Sequence, residues 1–221
     1  MNKLIETTKL SNEEKINDQI YIKKYTGGDL LNDNSISTLF PMCWEKLTEM
    51  DDLYLKYSDW YKVFCNESGE DQLAALFCVN TNHPEFKIEK DGLEDKDFLH
   101  LSEIEIAPSF RNSAYKNGKI VEPSSENNYF KKYINNNGIY GHNVQESEPL
   151  KNPNILKNIF NFLDVNARKA GYKVISLMAL NNKVESIYDK LGFKKVDLSK
   201  YDRYKDNLDW YSLHPFMIKF L

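Results

Sequence analysis

Between residues 152 and 193 the chain reads as helix, strand, helix with almost no slack, and that unit constrains the fold more than any other part. Asn152-Pro153 is a helix opening, with Asn as cap and Pro at the first helical position, where its missing N–H costs nothing. Ile155, Leu156, Ile159, Phe160, Leu163, Ala167 and Ala170 then recur at helical spacing as one apolar stripe, and Gly171 is the stop. Residues 173–180 (KVISLMAL) read as a buried strand. Residues 182–191 bring Val184, Ile187, Tyr188 and Leu191 onto one helical face, with Gly192 just past the end. A strand at 98–107 (FLHLSEIEIA), stopped by Pro108, precedes this unit, and strands at 193–198 and 216–221 follow it. Strand–helix–strand units of this kind imply α/β architecture: a mixed sheet with helices on both faces.

The first half fits the same plan. Residues 19–26 (QIYIKKYT) alternate as a strand does, and Gly27-Gly28-Asp29 is expected to break it. Residues 35–50 have helical spacing, but Pro41 inside the run predicts two short helices or a kink. Two β-rich runs, 60–66 and 72–80, are separated by a segment holding Ser68-Gly69, which predicts a hairpin. The first 18 residues are polar and aperiodic and read as a loose arm. Residues 109–150 are Asn-rich and punctuated by Gly and Pro, yet carry Phe110, Tyr115, Tyr129, Phe130, Tyr133 and Tyr140. Such a stretch is expected to be an insert that packs on something, and long inserts of this kind are usually functional.

At 221 residues with 41% hydrophobic residues, the chain can build a packed core and reads as a single domain over 1–221. No apolar run approaches a membrane span, and the charged opening has no signal-peptide h-region. A net charge of −4 argues against a nucleic-acid partner. Cys43, Cys65 and Cys78 fall at wide spacings with no Cys/His cluster, so no metal site is expected and a reducing cytoplasm is.

Residues 181–193 (NNKVESIYDKLGF) carry a family resemblance. With the preceding helix and strand, they resemble the acyl-CoA-dependent GNAT N-acetyltransferases, which end a strand in Asn, continue into a short helix and close on Tyr-x-x-x-Gly-Phe. Residues 101–111 (LSEIEIAPSFR) resemble that family's central strand, and the ending Met217-x-Lys219-x-Leu221 is similar too. The resemblance covers about residues 98–221. It implies a GNAT-like, mixed but mostly antiparallel central sheet with helices on both faces, and acetyl-CoA as cosubstrate without a metal. One departure stands out: the family's Arg/Gln-x-x-Gly-x-Gly/Ala loop is replaced by Arg111-Asn112-Ser113-Ala114 and the insert.

On this resemblance the cofactor-binding candidates are Ile104, Ile106, Ala107, Asn152, Asn154, Ile155, Asn181 and Tyr188. The strand supplies backbone groups to an extended pantetheine, and the helix start supplies amides to the pyrophosphate. Tyr188 is the candidate acid for the departing thiolate, and Glu103 or Glu105 the candidate base for an ammonium substrate. His100 stands on the opposite parity of an ideal strand and is a weaker candidate. The expected activity is transfer of an acetyl group to a primary amine of a small molecule or a protein, by a monomer or homodimer. The alternative is a GNAT-fold binding or regulatory module without catalysis. The insert is expected to fold over the cleft as a lid.

Overall fold

Alternating apolar residues carry the first half of the chain into antiparallel strands. A computed structural model describes residues 9–49, 58–67, 69–81, 93–107, 110, 115–116, 119–120, 154–180 and 182–221. Its elements are β1 (Glu13–Lys15), β2 (Ile20–Thr26), α1 (Gly27–Leu31), α2 (Asn34–Leu39), α3 (Pro41–Glu49), β3 (Asp59–Glu67), β4 (Glu70–Thr81) and β5 (Phe98–Ile106). A small hairpin of β6 (Tyr115–Lys116) and β7 (Lys119–Ile120) precedes α4 (Ile155–Lys169), β8 (Val174–Met178), α5 (Asn182–Lys190), β9 (Lys194–Lys195), α6 (Leu208–Leu213) and β10 (Phe216–Phe220).

The main sheet runs β1-β2-β3-β4-β5-β8-β10-β9. Its pairings are antiparallel except β5 with β8, which are parallel. The architecture is therefore α/β with a mixed, mostly antiparallel sheet, as expected. Cross-strand partners point to the same side of a sheet, so the pairing register assigns the faces. On one face Tyr61 of β3 stacks on its partner Phe77 of β4, ring centroids 4.9 Å apart, and Phe162 of α4 lies 5.5 Å from Tyr61. On the other, Glu105 of β5 sits opposite Leu76, Phe77's neighbour, and reaches the backbone of α3. Thus α4 covers one face and α3 the other. The 3₁₀ turns at Leu198–Lys200 and Asp202–Asn207 help to cover a second cluster around Phe98, Val174 and Phe216.

Several expectations shift for identifiable reasons. Gly27-Gly28 does not break the chain but opens α1, because Thr26 and Asp29 form a reciprocal capping box. The N-terminal arm contains β1, whose Glu13 and Lys15 pair with Lys23 and Tyr21; three charged residues show no apolar period. The strand expected at 193–198 is only two residues long, since Asp197 caps a turn by accepting from the Ser199 amide. The N-cap position of α4 falls at Asn154, without a side-chain capping hydrogen bond, rather than at Asn152. Asn154 turns the chain into the helix from a left-handed conformation (φ 50°) that Asn tolerates, and Asn152 and Pro153 lie outside the described residues. Most of the 109–150 insert also lies outside them, as does Asn181. Phe110 is described and is buried, its N–H donating to the Ala107 carbonyl at 2.9 Å.

Candidate active site

The parallel pair β5–β8 is short. Phe98–Leu101 register with Val174–Leu177, and there the ladder ends. β5 continues to Ile106 against β4, while the Ala179 N–H after β8 extends the β10 ladder by donating to the Pro215 carbonyl. Beyond Leu101 and Leu177 the two strands share no ladder pair.

A bulge on β5 follows directly. Cys78 pairs with Glu103 but Val79 with Leu101, so Ser102 is an extra residue on β5. Its hydroxyl accepts a hydrogen bond from the Asn80 side chain. The bulge resets the alternation of β5. Leu101 keeps to the face of α4, while Glu103 and Glu105 turn to the face of Cys78 and α3. It also corrects the parity expected for His100, which shares the face of Glu103. His100 is nevertheless occupied as a core bridge, buried, 3.0 Å from the Ser176 hydroxyl and stacked on Phe216.

The two carboxylates differ in surroundings. Glu103 is half-buried, and burial pushes its pKa up to about 7, the nearby Lys46 of α3 opposing the rise and Glu105 adding to it. Glu105 is buried, and its Oε2 accepts from the backbone N–H groups of Met42 and Cys43, each at 3.0 Å. These are the second and third residues of α3, whose cap position is Phe40, a side chain with no acceptor. Glu105 thus caps α3 from another strand. The thiols of Cys43 and Cys78 are buried beside the carboxylates, and desolvation raises both well above the usual range. None of the three cysteines forms a disulfide.

Tyr188 is placed by a helix terminus. Gly192, at φ 92°, lets the Phe193 N–H reach the Tyr188 carbonyl and its own N–H reach Asp189, both at 3.0 Å. This is a Schellman stop, with Tyr188 and Phe193 as its apolar pair, rings 6.0 Å apart. Phe160 of α4 packs on both rings. The Tyr-x-x-x-Gly-Phe spacing therefore has a structural role that fixes the Tyr188 ring. Tyr188 is 6% exposed, and burial, with the Glu103 charge second, holds its phenol well above an ordinary tyrosine.

The other candidates are distributed as follows. Ile104 and Ile106 lie on β5 beyond the last β8 pair, partly buried. The Ala107 N–H is committed to the Ala74 carbonyl at 2.9 Å. Ile155 is buried at the head of α4, while Asn154 is exposed and its carbonyl accepts from Asn158 at 3.0 Å. The sequence reading missed Lys46 and the α3 amides. Their signal was Pro41 at a first helical position behind Phe40, a poor cap, which leaves amides for a distant acceptor to satisfy. Among the described residues no cluster of three His, Cys, Asp or Glu side chains is placed to hold a metal, and no helix is long and apolar enough to cross a membrane.

No family model matches the chain, and no curated protein does. Among solved structures the chain is similar to a GNAT family acetyltransferase from Elizabethkingia anophelis with acetyl-CoA bound, at TM-score 0.46 and 14% identity, over 93% of this chain and 100% of that one. It is similar to an IAA acetyltransferase from Bacillus cereus at TM-score 0.45 and 12% identity, over 91% and 99%. A third similar structure is AtaTR bound with AcCoA, at TM-score 0.41 and 13% identity, over 90% and 93%.

Proposed function

We propose that this protein is an N-acetyltransferase that moves an acetyl group from acetyl-CoA to a primary amine by direct attack. The observation that carries the reading is the end of the parallel β5–β8 ladder at Leu101 and Leu177, with Glu103 just beyond it. Ile104 and Ile106 lie on β5 past its last β8 pair, where an extended pantetheine would run alongside the strand. The head of α4, at Asn154 and Ile155 with Asn152 two residues earlier in the sequence, suits the pyrophosphate. Its first turn has no acidic residue and carries Lys157, a cation that helix electrostatics disfavour there and a phosphate would welcome. Asn181, directly before α5 in the sequence, is the proposed partner of the thioester end of the cofactor.

In the reaction, Glu103 takes a proton from the substrate ammonium. A group titrating near neutrality is poised for that work. The amine nitrogen then attacks the thioester carbonyl, and the resulting oxyanion collapses with cleavage of the carbon–sulfur bond. Tyr188, held as the neutral phenol by burial, gives its proton to the departing thiolate. Its phenolate recovers a proton from the acylated nitrogen, so the net products are amide, thiol and one proton. The acceptor is an amine of a small molecule or a protein, and the acidic balance of the chain favours a cationic small molecule. Three buried thiols suit a reducing, cytoplasmic setting.

The test has two parts. Acetyl-CoA at 100 times its dissociation constant should stabilise the fold by about 2.7 kcal/mol. Thiol release should then be assayed with a polyamine, an amino acid, an aminoglycoside and a peptide N-terminus. Absence of both a thermal shift and calorimetric binding at millimolar acetyl-CoA refutes the reading.

A further inference from the structure

We propose that Glu105 is a positioning residue and not a second base: a cap that docks the N-terminus of α3 on β5 and fixes the charged surroundings of Glu103, two residues away on the same face. The inference rests on the reading of Glu103 as the base.

The geometry carries the argument. One oxygen of Glu105 accepts both the Met42 and Cys43 amides at 3.0 Å, where a helix normally uses its own Ser, Thr, Asp or Asn cap. Phe40 offers no such acceptor, and Pro41 offers no N–H, so these amides depend on Glu105. A proton on Oε1 would leave Oε2 an acceptor but remove the negative charge that strengthens both amide bonds, so a role as proton carrier runs against the cap. Glu103, two residues away on the same face, makes no such commitment to α3. Among the described residues, the titratable groups around Glu103 are Lys46 and Cys43 from α3, Cys78 from β4, Tyr188 from α5, and Glu105 on its own strand. Lys46 and Glu105 act on Glu103 in opposite directions.

The experiment titrates Glu103 directly, by carbon NMR of glutamate-labelled full-length protein, beside the pH profile of kcat/KM. In Glu105→Gln the amide oxygen still accepts from Met42 and Cys43, so α3 stays docked but the like charge is gone. The Glu103 titration should then move down by about half a unit, which is about threefold more activity on the acid limb. Lys46→Met, at an exposed position, should move it up. Both variants should keep the parent profile shape. An unmoved Glu103 titration in Glu105→Gln overturns the proposal and leaves Glu105 a cap alone. Loss of turnover in Glu105→Gln with Glu103 unmoved makes Glu105 the base instead. If Glu105→Gln does not fold, Lys46→Met decides: an upward shift supports the arrangement and an unchanged titration overturns it. Failure of the acetyltransferase reading shows separately, as a rate profile that does not follow the Glu103 titration or as no rate at all.

Discussion

Replacing Glu103 by Gln should stabilise this protein at alkaline pH while abolishing the acetyl transfer proposed for it. Glu103 sits behind the bulge at Ser102, half-buried, and burial moves it from 4.5 to about 7. A carboxyl raised on folding binds more protons in the native state than in the unfolded chain. The stability linked to it is fully present below pH 4.5 and is lost as pH rises through 7. A displacement from 4.5 to about 7 corresponds to about 3 kcal/mol, lost in that window. Gln keeps the shape and cannot ionise, so at pH 8 the variant should exceed the parent by about 2–3 kcal/mol, or roughly 5–10 °C in Tm for a chain of this size. At pH 4 the two should coincide. The carboxylates of Asp29, Asp33, Asp97 and Asp197 shift the opposite way and are common to both proteins, so the difference isolates Glu103. The assay is thermal unfolding of parent and variant from pH 4 to 9, with thiol release from acetyl-CoA alongside. A stability difference independent of pH would refute the reasoning, because Glu103 would then titrate as an exposed glutamate does.

Tyr188→Phe keeps the ring contacts with Phe160 and Phe193 and removes only the hydroxyl, so turnover should fall by about 10²-fold or more with acetyl-CoA affinity nearly unchanged. Wild-type turnover would make Tyr188 a packing residue. Phe162→Ala removes the α4 side chain that meets Tyr61 and Phe77, and should cost about 3–5 kcal/mol in denaturant unfolding without a change in m-value. Replacing residues 113–148 with a short Gly/Ser linker should leave the fold intact, since loop length costs little entropy, but raise KM for the acceptor. Unchanged kinetics would remove the insert from the active site.

Much of the fold was legible because the signals were local. The α4 stripe appears as Ile155, Ile159, Phe160, Leu163 and Ala167, all buried, and Phe162 widens it where β3 and β4 present Tyr61 and Phe77. Gly171 and Gly192 stop their helices in the left-handed region, as glycine permits. Pro41 divides α2 from α3. Segments whose periodicity was hidden by charge or shortness were harder: β1, α1, and the turns that replace most of the strand expected at 193–198.

The sequence by itself determined the longer elements and the identities of the polar side chains set into an apolar strand, because helix stripes, strand alternation and glycine stops are properties of neighbouring residues. It left Glu103 and Glu105 equivalent, two carboxylates at alternate positions with nothing between them to choose. Only the tertiary structure separated them. The bulge at Ser102 is a mismatch between two strands, invisible in either, and it decides which face of β5 the carboxylates share with His100. The bonds that occupy Glu105 come from amides more than 60 residues away, and the desolvation that shifts Glu103 comes from the packing around it. Register and burial are relations between distant segments, which a linear pattern does not encode.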